Sequence, residues 1–375
     1  MKKLIIKTTA SILLLSAGTI LFAEDKISFR TNFFSDNTGT TVQSPAVEFL
    51  KSLIGDLQFR LRYSLDRVII PPIRGLSATP SPTDAVTGAS RPVDDENAAN
   101  KSFNKDRNEV VAGFSLPRVS GSFYYSNESD YLGKMATIAA NTDLNQRNTN
   151  VAVNYSYAWD KIKPLGTDTL HTKEAHSVNA TITQVLSPNM IVRIGADLSY
   201  VIGFQSNPYR TVNAAGQIFL ERHPLERTRG AVFFKLNRYF KTQTAVNMEY
   251  RYYRDNWDVQ SHTLSFFYHQ YFSDKVLFRY RYRYYLQTAA NFYQTSYSTV
   301  GPFMTSDYKL QAFNAHLFGF KIEYKLEDLV KDGFLGFLSS STFEAKYERY
   351  FSSNDFAANI FQFGLIINYL GGENK

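Results

Sequence analysis

Three arginines occupy every second position in one short stretch of the chain. They are Arg279, Arg281 and Arg283, and the other positions from Phe278 to Tyr285 are aromatic. A guanidinium group is permanently charged and donates several hydrogen bonds, so a column of such groups is suited to carboxylates, phosphates and other anions. The chemistry that this stretch indicates is anion binding or anion passage rather than bond breaking.

The two-residue period identifies the element that must hold these arginines. Only a β-strand places successive side chains on opposite faces, so the arginines share one face while Phe278, Tyr280 and Tyr282 share the other. One face suits water and the other suits lipid. Because the same alternation recurs along the chain, the sequence predicts an all-β protein. We expect an antiparallel transmembrane β-barrel of about sixteen strands, within a range of about 14 to 18.

Strand and turn patterns divide the chain into alternating segments. Strands are expected near residues 27–33, 41–51, 57–66, 108–116, 119–127, 132–144, 146–159, 174–187, 189–202, 228–240, 242–254, 260–272, 274–288, 307–324, 340–350 and 357–370. Long connections are expected near 67–107, 203–226 and 289–306, and most others are short turns. In an outer-membrane barrel the long connections are extracellular and the short turns are periplasmic.

Extending the alternation assigns ten basic and five acidic residues to the inner face of the barrel. These lumen candidates are Arg60, Arg62, Arg193, Asp197, Lys235, Glu249, Arg251, Arg279, Arg281, Arg283, Lys321, Glu323, Glu344, Lys346 and Glu348. One interpretation is a polar conduit that favours anions, since rings of charged side chains bias ion passage. The other is a salt-bridge network that fills and rigidifies the barrel. Outward tyrosines such as Tyr250, Tyr252, Tyr268 and Tyr282 are interpreted as anchors at the membrane interface.

Sixteen strands enclose more space than side chains alone fill, which leaves an aqueous channel or a lumen plugged by loops. We favour a conduit that loops narrow, with residues 67–107 as the obvious plug.

The N-terminus carries the pattern of an export signal. Lys2, Lys3 and Lys7 precede an apolar stretch at residues 12–22, and Ala23 is a plausible last residue before cleavage. The apolar run is shorter than the ~20 residues of a spanning helix. Residues 1–23 are therefore predicted to be a cleaved signal peptide.

The mature chain is then predicted to be a barrel over residues 24–370 with a periplasmic tail at 371–375. We expect the barrel to lie in the outer membrane of a Gram-negative cell. The alternating apolar residues of its last strand, from Phe361 to Tyr369, resemble the terminal insertion signal of outer-membrane proteins. This resemblance implies the barrel assembly machinery as a partner, in addition to outer-membrane lipid.

Composition excludes several classes of protein. The chain has no Cys, so it holds no disulfide and no thiolate metal site. Its formal net charge of +7 falls to +4 when the three signal lysines leave, and its cations are spread along strands, so no nucleic-acid partner is expected. The 15% aromatic content suits the girdles of a barrel.

No catalytic, metal or cofactor site emerges from the motifs. Of the six His, only His171 and His176 have a zinc-like spacing, and they lack partner ligands nearby. The acidic run at residues 94–96 lacks the pattern of a calcium loop and is expected to be a solvated loop. A lipid-modifying enzyme would place Ser and His on neighbouring strands without a sequence signature, so an enzyme stays open as the third hypothesis, although we expect none.

Four motifs resemble an uncharacterised bacterial family that is known only as a domain of unknown function. They lie at residues 84–90, 126–131 with 147–149, 203–210 and 223–229. The resemblance implies a Gram-negative outer-membrane barrel, brings no established activity, and suggests an extracytoplasmic redox or flavin-related setting.

Residues of these motifs that could meet over the barrel mouth are Asp84, Ser90, Asp130, Asn207, Tyr209, Arg210, Arg227 and Arg229. They would either bind a ligand there or only pack the loops. The first functional hypothesis is thus a pore or gated channel for small polar solutes, with anions favoured. The second is a non-conducting barrel that docks a periplasmic or surface redox partner.

Overall fold

The chain forms a closed antiparallel barrel of sixteen strands, with a separate two-stranded hairpin in one connection. The computed structural model describes residues 25–53, 55–70, 103–164, 166–327 and 336–368. The strands are β1 Lys26–Asp36, β2 Thr41–Ser52, β3 Gln58–Ile70, β4 Phe103–Ser115, β5 Val119–Asn127, β6 Tyr131–Leu144, β7 Thr149–Ile162, β8 His171–Ser187, β9 Met190–Gly203, β10 Thr211–Ala214, β11 Gln217–Leu220, β12 Glu226–Phe240, β13 Thr244–Asp255, β14 Gln260–Tyr271, β15 Val276–Gln287, β16 Phe313–Lys325, β17 Ser341–Ser352 and β18 Ala357–Asn368.

Each barrel strand pairs with its neighbours in chain order, β9 pairs with β12, and β1 pairs with β18 to close the barrel. Closure leaves no strand edge, so every strand backbone can satisfy its hydrogen bonds within the wall. The predicted all-β barrel of about sixteen strands is confirmed.

The two faces of the wall differ as the alternation requires. Large apolar side chains such as Phe29, Leu198 and Tyr280 are exposed on the outer face, while Ser156 and Thr181 are buried on the inner one. An outer surface of this kind is compatible with lipid rather than water. Within the described ranges, the search for a long apolar helix able to cross a membrane found none.

Several predicted boundaries differ from the structure, and three of the differences concern the long connections. The first long connection is shorter than 67–107, because β3 continues to Ile70 and β4 begins at Phe103, with an ion pair of 3.0 Å between Arg67 and Asp106. The predicted loop at 203–226 contains the β10–β11 hairpin. The strand expected from 307 begins only at Phe313, because Asp307 turns the chain there and accepts a hydrogen bond from the Lys309 N–H at 2.9 Å.

Long connections gather at one end of the barrel and mostly short turns at the other, where a 3-10 helix, Gly336–Leu338, lies in the connection before β17.

Several predicted features lie outside the described residues: the signal peptide, the tail at 371–375, Asp84, Ser90 and the acidic run at 94–96.

An apolar cluster lines the inner wall at the long-loop end. Its buried members come from β1, β2, β3, β18 and the turn before β18, and Tyr308 and Tyr350 pack against it; they are Phe34, Val42, Val68, Ile70, Phe356, Ala358 and Ile360. The lumen is therefore polar through its middle and apolar along one side of its mouth.

Candidate conduit through the barrel

One inner wall carries a row of basic side chains. Cross-strand pairing places His269, Arg279, Lys321 and Lys346 directly beside one another on β14, β15, β16 and β17. Neighbouring strands are about 5 Å apart, and like charges in directly opposed positions repel each other. This set, which we call the basic row, must therefore be balanced by carboxylates or by anions from solution.

Three carboxylates balance part of this charge. Glu344 accepts a hydrogen bond from Lys321 at 2.6 Å and lies 3.4 Å from the Arg30 Nε, and Glu323 lies 2.6 Å from the Lys321 Nζ. Glu348 pairs with two cations, Arg281 at 2.8 Å and Lys346 at 3.3 Å. Part of the basic wall is thus held in a salt-bridge network.

Two arginines of the same wall have no such partner. No carboxylate of the described residues lies within ion-pair distance of Arg279 or Arg283, and the Arg283 Nε is buried without a hydrogen-bond partner. The Arg279 guanidinium lies 5.8 Å from the ring of Phe267, a cation–π contact that supplies no counter-charge. The six cations of this wall, counting Arg30, exceed its three carboxylates by three.

The remaining lumen candidates lie on other parts of the inner face. Arg60 pairs with Glu48 at 2.5 Å. Lys235 pairs with Glu249 at 3.1 Å, and Arg251 pairs with Asp197 at 3.3 Å. Arg193 donates to the Thr183 hydroxyl at 2.9 Å, and no described carboxylate pairs with Arg193 or Arg62.

Two long connections form a single folded unit at the mouth. We call residues 204–225 and 288–312 the strap. The β10–β11 hairpin turns at Ala215 and Gly216, which both have positive φ (51° and 76°), the geometry of a type I′ turn. Ala214 bridges to Tyr297, and Val212 and Ala214 bury the side chain of Met304. The two connections therefore share one small apolar core.

A buried carboxylate fixes the polar centre of the strap. The side chain of Glu221 is 0% exposed and accepts hydrogen bonds from the Asn207 N–H at 2.7 Å and the Thr305 hydroxyl at 2.9 Å. The Glu221 carboxylate also lies 3.4 Å from the His223 Nε2. Burial raises the pKa of the nearby Tyr297 phenol, whose hydroxyl donates to the Thr305 carbonyl at 3.0 Å and accepts from the Thr305 N–H at 2.7 Å.

A chain of contacts takes the strap across the barrel opening. The Tyr209 hydroxyl donates to Asp130 at 2.6 Å, in the turn between β5 and β6. Arg210 lies 3.8 Å from Asp307 and stacks over the Tyr308 ring at 5.6 Å. The Tyr308 ring then stacks on Phe356, in the turn between β17 and β18. Since these two turns are ten strands apart in one direction and six in the other, the contacts span the mouth.

The predicted mouth residues have different places in this arrangement. Asp130, Tyr209 and Arg210 belong to the contact chain, and the Asn207 side chain accepts from the Tyr209 N–H at 2.9 Å. Arg227 instead pairs with Asp255 and lies 4.0 Å from the Trp257 ring. Arg229 lies on the inner wall, where its Nε is buried without a partner.

Sequence reasoning missed a second charged network at the mouth. Lys105 lies 2.7 Å from Glu128 and 2.5 Å from Asp130, while Arg107 pairs with Asp66 and with Glu109 at 3.1 Å. Residues 67–107 were expected to be a loop, so the alternation of Lys105, Arg107 and Glu109 on one face of a strand went unused. That period of two was the available signal.

Tyr209→Phe is expected to loosen the strap without unfolding the barrel. The substitution removes one hydrogen bond to a buried carboxylate, which contributes about 1–2 kcal/mol. Hydrogen exchange of the strap amides should then be roughly tenfold faster, while the barrel strands keep their protection. Tyr200→Phe, on the outer face of β9, is the matched control. Unchanged exchange in the strap would show that the Tyr209 to Asp130 bond does not hold it.

A family model described as a protein of unknown function, DUF3570, matches residues 24–359. The chain belongs to this family. The resemblance drawn from the four motifs is thereby confirmed. A search of curated proteins returned no match for this DUF3570 chain.

Three solved structures are similar to this chain at low sequence identity. One is "OmpTdeltaL8 (loop L8 deletion mutant of OmpT), an outer membrane protein of Vibrio cholerae", at 9% identity and a TM-score of 0.45, covering 92% of this chain and 98% of that one. Pseudomonas aeruginosa OccD3 (OpdP) shows 10% identity and a TM-score of 0.44, with 94% and 93% of the two chains covered. Pseudomonas aeruginosa OpdK with vanillate shows 10% identity and a TM-score of 0.43, with 92% and 98% covered.

The assignment of the fold rests on the strand pairing of this chain itself. A closed antiparallel barrel with an apolar outer surface is the form in which strands cross a bilayer. The DUF3570 chain is an outer-membrane β-barrel.

Proposed function

We propose that the barrel is a channel for small anionic solutes, in which the basic row attracts the anion and the strap narrows the entrance. The observation that supports this most is the pair of arginines without carboxylate partners, Arg279 and Arg283, on a wall with a surplus of three cations. An unpaired guanidinium facing a water-filled lumen attracts exchangeable anions. The wall that carries the basic row and Arg283 therefore provides a local excess of anions in the lumen.

A purely structural role for these charges is less consistent with their pairing. A network that only rigidified the barrel would be expected to match each buried cation with a carboxylate, because an uncompensated buried charge is costly. Four of the ten basic lumen candidates, Arg62, Arg193, Arg279 and Arg283, have no carboxylate partner among the described residues. These four positions are better suited to ions that enter and leave.

The test is the reversal potential in planar bilayers across a tenfold salt gradient. The wild-type protein should give discrete steps and a reversal potential of the sign set by anions. The variant with Arg279→Gln, Arg281→Gln and Arg283→Gln should lose most of that bias, since it removes three of the six cations of the wall. Arg67→Gln, on the outer face, is the matched control and should leave the selectivity unchanged.

Silence from a folded, heat-modifiable barrel would contradict the channel and favour a second function. The strap across the mouth and the apolar cluster beside it are the observations that favour a closed docking barrel. In that case the barrel would hold a periplasmic or surface redox partner, and capture of an extracytoplasmic flavin or redox protein by the purified barrel would be the positive result.

A further inference from the structure

The outer face of the barrel carries the same tyrosine–histidine arrangement three times. In each copy a histidine lies directly opposite one tyrosine of the neighbouring strand, and the tyrosine two residues earlier on that strand places its hydroxyl at the histidine Nδ1. The copies are Tyr155, Tyr157 and His176; Tyr250, Tyr252 and His262; and Tyr282, Tyr284 and His316. The hydroxyl-to-Nδ1 distances are 2.8, 2.7 and 3.0 Å. We call these the Tyr–His sites.

All three sites lie toward the long-loop end of their strands. His262 is the third residue of β14, His316 the fourth of β16 and His176 the sixth of β8, and each of these strands starts at the long-loop end. Further polar side chains meet the same tyrosines on the outer face. The Tyr157 hydroxyl donates to Glu174 at 3.0 Å, and the Tyr252 hydroxyl donates to Gln260 at 3.1 Å. Tyrosines and polar side chains on the outer face near a strand end are typical of the membrane interface, which at the long-loop end is the headgroup layer of the outer leaflet.

The hydrogen bond at Nδ1 determines what the other ring nitrogen can do. When the tyrosine hydroxyl donates to Nδ1, the ring hydrogen is on Nε2, which is then free to donate. No hydrogen bond at Nε2 connects these three histidines to another described residue. His176 and His262 are exposed, and their tyrosines Tyr155 and Tyr250 are 40% and 43% exposed. The sites of His176 and His262 therefore present an N–H donor beside amphipathic rings on the outer face, and the half-buried His316 repeats their geometry.

Local packing does not require this repetition. The three sites are on different strand pairs, β7–β8, β13–β14 and β15–β16, and the two partners of each hydrogen bond are 21, 12 and 34 residues apart in the chain. A geometry that recurs at one membrane depth on independent strands points to something that all three sites meet at that depth. In an outer membrane this is the headgroup layer of the outer leaflet.

We propose that the three Tyr–His sites bind the phosphate groups of outer-leaflet glycolipid, with the histidine Nε2–H as donor and the tyrosine rings against the sugar–acyl boundary. The inference does not depend on whether the barrel conducts. A barrel with these three sites holds an arc of bound glycolipid along one half of its circumference. The bound lipid stabilises the barrel wall next to the strap.

The test reconstitutes the full-length barrel in phosphatidylcholine vesicles that contain increasing amounts of diphosphorylated lipid A. The midpoint of thermal unfolding, followed by heat-modifiable mobility, should rise with lipid A for the wild type. His176→Phe, His262→Phe and His316→Phe together should remove most of that rise and weaken lipid A binding by about fivefold per site, as expected for the loss of one hydrogen bond. Dephosphorylated lipid A and phosphatidylglycerol at equal charge separate phosphate recognition from acyl packing and from general electrostatics.

Two further variants make the outcome decisive. Tyr155→Phe, Tyr250→Phe and Tyr282→Phe keep every imidazole but remove the hydroxyls that orient them, so an intermediate loss is expected even where the histidine variant folds poorly. Tyr268→Phe with Tyr280→Phe, an outward pair of tyrosines nearer the short-turn end, should leave the lipid A response unchanged. The proposal is overturned when native mass spectrometry counts as many bound lipid A molecules on the triple histidine variant as on the wild type.

Discussion

Removal of the β10–β11 hairpin is expected to raise single-channel conductance by roughly twofold or more, because the strap then covers less of the entrance. The two residues that flank the hairpin already lie close enough to be joined. The Glu221 N–H donates to the Arg210 carbonyl at 3.0 Å, so an Asn-Gly pair replacing residues 211–220 would join the two as a two-residue turn. The remaining strap would lose the support of Val212 and Ala214 beneath Met304.

A matched change on the same hairpin separates occlusion from general damage. Ile218→Ser alters a side chain that is 63% exposed on the hairpin and should leave both conductance and selectivity as they are. The shortened variant should keep its heat-modifiable mobility, because the sixteen barrel strands are untouched. Wild-type conductance in the shortened variant would mean that the hairpin lies beside the path of the ion rather than across it.

Glu348→Gln is expected to lower the free energy of unfolding by about 2–4 kcal/mol and to strengthen the preference for anions. Glu348 is buried, and its carboxylate balances both Arg281 and Lys346. Neutralising it leaves two more uncompensated cations on the wall with the basic row. Urea unfolding in lipid vesicles measures the first effect, and the reversal potential measures the second.

Glu249→Gln provides the comparison for that prediction. Its carboxylate is 29% exposed and has a single partner, Lys235, at 3.1 Å, so its removal should cost less than about 1 kcal/mol. Equal losses in the two variants would show that Glu348 acts as an ordinary solvated ion pair. A stable Glu348→Gln variant with unchanged selectivity would show that this carboxylate affects neither the stability of the barrel nor its preference for anions.

The strands could be predicted because lipid on one side and water on the other impose a period of two on every span. The same alternation also predicted that the side chains of Arg279, Arg281 and Arg283 lie on the inner face of the barrel. Which carboxylate meets which cation depends on the register between strands, and a shift of one residue changes every pair. The contact of Glu348 with Arg281, two strands away, was therefore beyond sequence reasoning.

The strap could not be predicted for a different reason. Its hairpin turns on Ala215 and Gly216, without the Asn-Gly or Asp-Gly pair that usually announces such a turn. Its core joins Ala214 to Met304 and Glu221 to Thr305, contacts between segments more than eighty residues apart. At residues 307–312 an apparent alternation suggested a strand, but the Asp307 turn and its contact with Arg210 place the chain in the strap.

The seam between the first and last strands also determines how the protein can be made. β1 pairs with β18 along its whole length, from Lys26 opposite Asn368 to Asp36 opposite Ala358. β1 is synthesised first, but it can complete its pairing only with β18, the last strand. The wall therefore stays open until the whole chain has been synthesised and secreted. A product truncated before β18 would expose unpaired backbone of β1 and β17 to hydrocarbon, so the wall cannot close without its last strand.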